Sequence, residues 1–351
     1  MPSIKMTLVN SQHLKKFVFN AFSAMGLSKE DANIFTEALI FSELRFHSGQ
    51  GQGVQRITTY YKRINNNEVN INSDYEIIKE SSSLALVDAK NGIGTIQASK
   101  CMDIAINKAK KEGIGKVIVK NSTHFGSSSV HAVKATKENC IGLVYTNAGP
   151  EMAPWGSKSG GVGTNPWGIA CPTDKGFPLI LDIALTTAGK GMMRWHEREG
   201  IPMPKDWALT KDGAETTNPT EAMNGFLLGI GKYKGYGLSF MTDVLTGVIS
   251  GGGYGLIPYA DPKKLDVSHS LTAINIEWFM DINEFYKRID DFVNTLKDLP
   301  LRPGFDEILV PGEIENKRVK EKMKSGIPLD DEVIESFHEL ALNLSIEKLI
   351  V

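Results

Sequence analysis

The chain has 351 residues, 41% hydrophobic and 23% charged, enough apolar material for a sizeable core and about two domains. Its formal net charge of −2, with Lys and Arg scattered among Asp and Glu, leaves no basic face for nucleic acid or an acidic membrane surface, so a small molecule is the expected partner. Cys101, Cys140 and Cys171 are far apart and lack ligand spacing, which indicates neither a disulfide framework nor a zinc site.

No charged start followed by an apolar stretch and no apolar run of about 18 residues occurs, so no membrane partner and a cytoplasmic location are expected. Leu14, Phe17, Val18, Ala21, Phe22 and Met25 recur at helical spacing and predict a first helix that stops at Gly26. Ser28, with Asp31 three positions later, starts a second helix running to about Ser42. It delivers the chain into "LRFHSGQGQGVQR", residues 44–56, whose Arg, His, Gln and Gly suit a loop that grips something polar better than a helix interior. "VQRITTYYKRI" reads as helix again. "LALVDA", a helical run from 96 to 111 ending at Gly113, and "GKVIVKN" read as strand, helix, strand.

The loop "STHFGSSS" begins where that second strand ends, and a short helix and the strand "IGLVYTNA" follow. "GPEMAPWGSKSGGVGTNPWG" is a long loop that its tryptophans argue to be ordered. "FPLILDIALTTAGKG" reads as a buried strand opening into a turn, and residues 194–226 give no clear pattern. Beyond them the spacing predicts a helix over 237–249, a strand over 274–280, a helix over 283–296 and a charged helical tail from Val319. No composition break marks a linker, so the chain ends are expected to fold together: a helical domain from 1–80 plus 284–351, and a central domain over 81–283.

Histidine has an ordinary pKa nearest to the working pH of a proton-transfer catalyst, and there are seven. His13, His269 and His338 stand in polar, surface-like contexts, and His131 and His196 are little better placed for chemistry. His124 differs, because "KNSTHFG" sets it in a small-residue loop at the C-terminal end of a buried strand, where open α/β sheets put their sites. His47 is the second candidate. "GIGKYKGYG" and "NGIGTIQ" lack the strand-turn-helix context of a dinucleotide fingerprint, and no P-loop, GxSxG or HExxH is present. A helix starting near Gly235 offers its N-terminal amides to a phosphate, with Lys234 adding charge.

Taken in order, "KNSTHFG", "PWGSKSGGVGTNPWGIACP", "LDIALTTAGKG", "DGAETTNP", "KGYGLSFMTDVLTGVISG" and "PGFDEILVPGE" resemble the type-two malate/L-lactate dehydrogenase family, with its L-sulfolactate, ureidoglycolate and 2,3-diketo-L-gulonate oxidoreductases. The resemblance runs from about Ser11 to the C-terminal helix. It implies a mixed α/β chain on a non-Rossmann nicotinamide-binding fold, a homodimer, and an NAD- or NADP-dependent enzyme interconverting a 2-hydroxy acid and a 2-oxo acid.

The resemblance implies site residues as well. The histidine of the family's "NSxH" loop, a proton acceptor, falls on His124. The cofactor-lining segment falls on Asp182, Ile183, Ala184, Leu185, Thr186, Thr187 and Ala188, with Lys234 and Gly235 meeting it and Pro311, Gly312 and Glu313 following late in the chain. Asn147 and Ala148 match the end of a strand near the nicotinamide, and Arg56 and Tyr60 match the groups beside the substrate carboxylate. A planar guanidinium takes both carboxylate oxygens at once, which fixes the face of the adjoining carbon.

The stretch 44–56 departs from the family's "LRGxDSHGVxR". It is two residues longer between Arg45 and Arg56, and Gly51-Gln52-Gly53 stands where Ser-His-Gly is usual. Glutamine has no accessible pKa, so Gln52 can orient a substrate carbonyl but cannot shuttle its proton. Either His47 swings into the vacated place, or His124 transfers the proton alone while Gln52 holds the oxygen; the second is favoured because His124 stands in an unaltered motif. Two alternatives stay open: a reductase of a cyclic imino acid using the same carboxylate clamp, and a dinucleotide- or metabolite-binding protein without turnover.

Overall fold

The computed structural model of the protein describes residues 6–46, 52–72 and 74–351. Candidate His47 lies outside the described residues. The chain opens with β1 (Met6–Val9), α1 (Ser11–Ala24), α2 (Lys29–Arg45) and α3 (Arg56–Asn65). Next come β2 (Glu76–Glu80), β3 (Leu84–Asp88), α4 (Gly94–Glu112), β4 (Ile114–Ser122), α5 (Ser128–Thr136), β5 (Cys140–Thr146), β6 (Trp167–Cys171) and β7 (Leu179–Ile183). Then follow α6 (Lys190–Glu199), β8 (Ala208–Leu209), α7 (Pro219–Met223), β9 (Phe226–Leu227) and α8 (Tyr233–Asp243), which runs into a π turn over Val244–Val248. The last elements are β10 (Val267–Asn275), α9 (Ile282–Lys297), α10 (Glu313–Ser325), β11 (Ile327–Asp330) and α11 (Asp331–Leu344).

The first helix forms where the apolar spacing puts it. Asn10 caps it, its side-chain oxygen accepting the amides of Gln12 and His13, and Leu14, Phe17, Val18, Ala21 and Phe22 are buried. Ser28 caps α2 by accepting the Asp31 amide at 3.1 Å. The two helices and α3 meet in an aromatic core, with Phe22 stacked on Phe35 (4.3 Å) and Tyr60 edge-on to Phe35 (4.6 Å). Burial of each such ring contributes about 1.5–3 kcal/mol. The same core takes in the other chain end: β1 pairs antiparallel with β11, Val9 opposite Ile327, and Phe337 of α11 stacks on Phe17.

A second core surrounds a seven-stranded sheet of order β2-β3-β4-β10-β5-β6-β7. Only β3 and β4 pair in parallel, joined by α4 as a strand-helix-strand crossover, and the other neighbours are antiparallel. The architecture is mixed α/β. Helices α4 and α5 lie side by side on one face. Their approach is close enough to require glycine: a Cβ on Gly115 would stand 1.9 Å from the Ala105 carbonyl oxygen, and one on Gly142 2.2 Å from that of Ala132. Part of the opposite face is covered by α8 and the π turn.

Three expectations are corrected. The strand expected at 274–280 ends at Asn275, where the Asn275 side chain accepts the Glu277 amide and starts a short 3-10 turn, and the strand itself begins at Val267. Its "SHS" start reads as polar surface, yet Ser268, His269 and Ser270 are fully buried: Ser250, just past the π turn, donates to the Ser268 hydroxyl, and neighbouring strands supply the partners of His269. His269 is therefore a core residue rather than a surface one. The helical tail starts earlier than Val319, at Glu313, and is broken by β11, whose pairing with β1 outweighs local helix propensity. The short strands β1, β2, β6, β8 and β9 also carry no readable pattern; β6 hides in the Gly/Pro-rich stretch and is recruited by pairing on both sides with β5 and β7.

Candidate active site

The loop between β4 and α5 carries His124, partly buried at the C-terminal end of β4. Every residue around it is tied down. Thr123 donates to the Gly92 carbonyl (3.0 Å) and accepts the Gly94 amide (2.9 Å), while Gly126 turns the chain at φ +84°. The Gly126 amide donates to His124 Nδ1 at 3.2 Å, which leaves the proton of the neutral ring on Nε2. Burial drives the His124 pKa well below its ordinary value, and the charges of Arg56 and Arg63 push it the same way, with smaller contributions from His269 and His131.

Arg56 and Tyr60 reach this loop from α3, one turn apart on one helix face. The Tyr60 hydroxyl donates to the His124 carbonyl at 2.9 Å, anchoring the histidine's backbone to the aromatic core. Burial lowers the Arg56 pKa; Tyr60 and Tyr259 oppose that, and Arg63 and Arg194 reinforce it. Arg63 lies over the rings of Tyr60 (5.7 Å) and Tyr259 (5.9 Å), and the Tyr259 hydroxyl is pushed up to about 12 by its burial. Arg194, exposed on α6, adds a third guanidinium. The region is cationic. Gln52 precedes α3 by four residues, its Oε1 buried with no hydrogen-bond partner among the described residues.

Arg45 falls elsewhere in the same neighbourhood. It is buried at the end of α2, over the Phe41 ring at 5.1 Å, with the charges of Glu315 and Asp182 nearby. Asp182 itself accepts both the amide (2.8 Å) and the hydroxyl of Ser129, so it caps the first turn of α5 from β7. Burial raises its pKa to about 6 against those bonds.

Beyond Asp182 the segment through Ile183 and Ala184 leaves the sheet. The amides of Leu185 and Thr187 donate to the carbonyls of Thr164 (2.8 Å) and Leu228 (3.0 Å), and Ala188 ends the run at the foot of α6. Gly235 packs directly against it: a Cβ there would stand 2.4 Å from the Leu185 carbonyl oxygen. Asn147 is spent on the protein, donating to the Gly253 carbonyl (2.7 Å) and accepting the Ser268 amide (2.8 Å), while Ala148 donates to Asn165, which bonds on to Ser239 of α8. Pro311 accepts the Ile180 amide, Gly312 turns at φ +89°, and Glu313 closes the turn on Val310 and pairs with Lys297 at 2.7 Å.

Two features suit an anionic dinucleotide. The hydroxyl of Thr186 is buried with no hydrogen-bond partner among the described residues, and the exposed Lys234 stands in the first turn of α8, where the helix dipole favours a phosphate. The residues present therefore fit a nicotinamide dinucleotide.

Sequence reading passed over Tyr259, Arg194, His131 and His269. Arg194 and Tyr259 lie far along the chain in segments without periodicity, and only the fold brings them to Arg56. The two histidines carried a signal in their residue type but none in their context.

A family model described as malate/L-lactate dehydrogenase matches residues 9–338 of the chain. A malate dehydrogenase of Pyrococcus abyssi is 35% identical over 350 residues, covering 97% of this chain and 96% of the relative. An L-sulfolactate dehydrogenase of Methanocaldococcus jannaschii is 33% identical over 345 residues, covering 96% and 98%. Among solved structures, a malate dehydrogenase of Entamoeba histolytica superposes with a TM-score of 0.94 at 30% identity, covering 98% of this chain and 99% of that one.

Proposed function

The chain belongs to the malate/L-lactate dehydrogenase family, whose members are nicotinamide-dependent hydroxy-acid oxidoreductases, and from that premise we propose that it interconverts a 2-hydroxy acid bearing a second anionic group with its 2-oxo acid. The observation that carries this reading is the gathering of Arg56 and Arg63 beside one neutral histidine, with Arg194 acting on Arg56 from α6. A monoacid occupies one guanidinium, whereas a second acid group can also engage Arg194, or Arg63 beyond its 4.0 Å pair with Glu68. Malate and sulfolactate, named for the relatives above, both carry a second acid group.

In this reading Arg56 takes the carboxylate beside C2, and Gln52 donates to the C2 oxygen. His124 exchanges the hydroxyl proton at Nδ1, the nitrogen that is unprotonated in the neutral ring, giving up its long contact with Gly126 when the ring becomes cationic. Tyr60 keeps the loop in place through the His124 carbonyl. When bound, the nicotinamide supplies or accepts the hydride at C2. Thr186, the adjoining backbone to Ala188, Lys234 and the Gly235 turn would hold the dinucleotide, with Asp182, Asn147 and Glu313 shaping its bed through their bonds to the protein. We also assign a helical unit to 1–80 plus 284–351 and a catalytic unit to 81–283, supported by the two separate cores. The enzyme in this reading is a cytoplasmic homodimer.

The test is a nicotinamide absorbance scan of NADH and NADPH against oxaloacetate, sulfopyruvate, pyruvate and cyclic imino acids. Loss of one charged hydrogen bond costs about 1.5–3 kcal/mol, so kcat/KM for the two-acid substrates is expected to exceed that for pyruvate by roughly ten- to a hundredfold. Equal or better turnover of pyruvate or an imino acid would remove the second-anion reading, and the preferred coenzyme emerges from the same scan.

A further inference from the structure

We propose that His269, together with His131, is a positioning residue for the reaction, holding the His124 loop against the cofactor end of β5 by gripping Phe125 with two imidazoles. The inference rests on the reading of His124 as the proton-transfer group.

Phe125, the residue after His124, is 1% exposed. Its ring stacks on His269 at 4.7 Å with 16° between planes, and lies 4.9 Å from the His131 ring, tilted by 36°. His131 Nε2 also bonds to the Phe125 carbonyl at 2.8 Å. A carbonyl only accepts, so that nitrogen carries the proton. His269 is the link between strands. Its Nδ1 meets the Thr146 hydroxyl at 2.7 Å and its Nε2 the Ser122 hydroxyl at 2.8 Å, so one ring on β10 joins the ends of β5 and β4.

The tautomer follows from the partners. The Thr146 hydroxyl has two carbonyls within reach, those of Asn147 (2.9 Å) and Ser268 (3.1 Å), and donates to one of them. It must then accept from His269 Nδ1–H, which leaves Nε2 to accept from Ser122. Both histidines are fully buried, and that burial holds the His269 pKa at about 3 and the His131 pKa at about 4. They remain neutral in the working range, so neither competes for the substrate's proton. A neutral imidazole provides one donor, one acceptor and a flat face, and His269 uses all three. Thr146 immediately precedes Asn147 and Ala148, so the ring sets the spacing between the expected nicotinamide end of β5 and the imidazole of His124.

Misplacement of a catalytic group by about 1 Å is worth on the order of a hundredfold in rate. The test compares His269→Phe, which keeps the stack but loses both hydrogen bonds, His269→Gln, which keeps a donor and an acceptor, and His131→Phe. Kcat, the pH–rate profile and coenzyme affinity by fluorescence titration are measured for each. His269→Phe is expected to lower kcat roughly ten- to a hundredfold and to move the pH limb assigned to His124, with coenzyme affinity retained; His269→Gln should recover part of the rate. Wild-type kcat and an unmoved limb in His269→Phe would overturn the proposal, as would an equal fall in coenzyme affinity, which marks a general core defect. Should His269→Phe fail to fold, Ser122→Ala and His131→Phe decide by the same criteria. His124→Asn run alongside separates the layers: if it keeps turnover, the proton-transfer reading fails and this inference with it. If it is inactive while His269→Phe behaves as wild type, the positioning role alone is wrong.

Discussion

His124 is surrounded by groups that oppose its protonation. Burial acts first, then Arg56 and Arg63, and the facing His269 and His131 stay neutral. The free enzyme therefore holds a neutral imidazole at pH 6.5 and above. In the proposed reading, pairing of Arg56 with a substrate carboxylate offsets the largest of the charges acting on His124 and couples substrate binding to proton uptake. The sign follows directly. Oxidation needs the neutral ring, so its kcat/KM should be flat from pH 6.5 upward, with its acid limb displaced below the ordinary histidine range. Reduction needs the rare cation, so its kcat/KM should fall about tenfold per pH unit as pH rises through neutrality. Stopped-flow or steady-state profiles in both directions check this, and a reduction rate independent of pH between 6 and 8 would show that another group delivers the proton. The "KNSTHFG" motif makes this residue legible in the sequence; the direction of its pKa is not, because Arg56 and Arg63 arrive from α3, about sixty residues earlier in the chain.

At the level of elements, the proposed coenzyme site draws on two residues at the start of α8 with separable roles. Gly235 lets the helix lie against the Leu185 backbone, and Lys234 presents its charge to solvent beside that contact. Gly235→Ala adds a methyl 2.4 Å from both the Leu185 carbonyl oxygen and the Ile230 amide, so it should cost about 1–3 kcal/mol of stability as well as coenzyme affinity. Lys234→Ala should leave the thermal midpoint unchanged and weaken coenzyme binding roughly tenfold, the scale of one charge-assisted contact. Fluorescence titration and thermal melting on the same samples distinguish the two, and wild-type affinity in Lys234→Ala would remove that side chain from the site. The sequence shows the "KG" pair and a helix beyond it; that the helix docks on residues 185–188 is decided by packing.

Over the whole molecule, one exposed face among the described residues is apolar. Tyr233, Phe240, Met241, Val248, Ile249 and Leu256, on α8, the π turn and the loop beyond, are 48–65% exposed, a concentration of apolar side chains in one stretch of chain of the kind that marks an interface. A second copy is the expected cover: light scattering should give twice the chain mass, and Phe240→Glu combined with Ile249→Glu should give monomer. A wild-type monomer at micromolar concentration would refute the dimer. The sequence by itself determined the first two helices and the β3-α4-β4 unit, because each depends on spacing or composition within a few residues. Only the tertiary structure decided that β10 runs antiparallel between β4 and β5, that the "SHS" beginning that strand is core rather than surface, that Asp182 caps α5, and that Arg194 of α6 comes to the arginines of α3. The reason is physical: a buried polar side chain is stable only where another segment satisfies its hydrogen bonds, and that partner is fixed by topology rather than by the local run of residues.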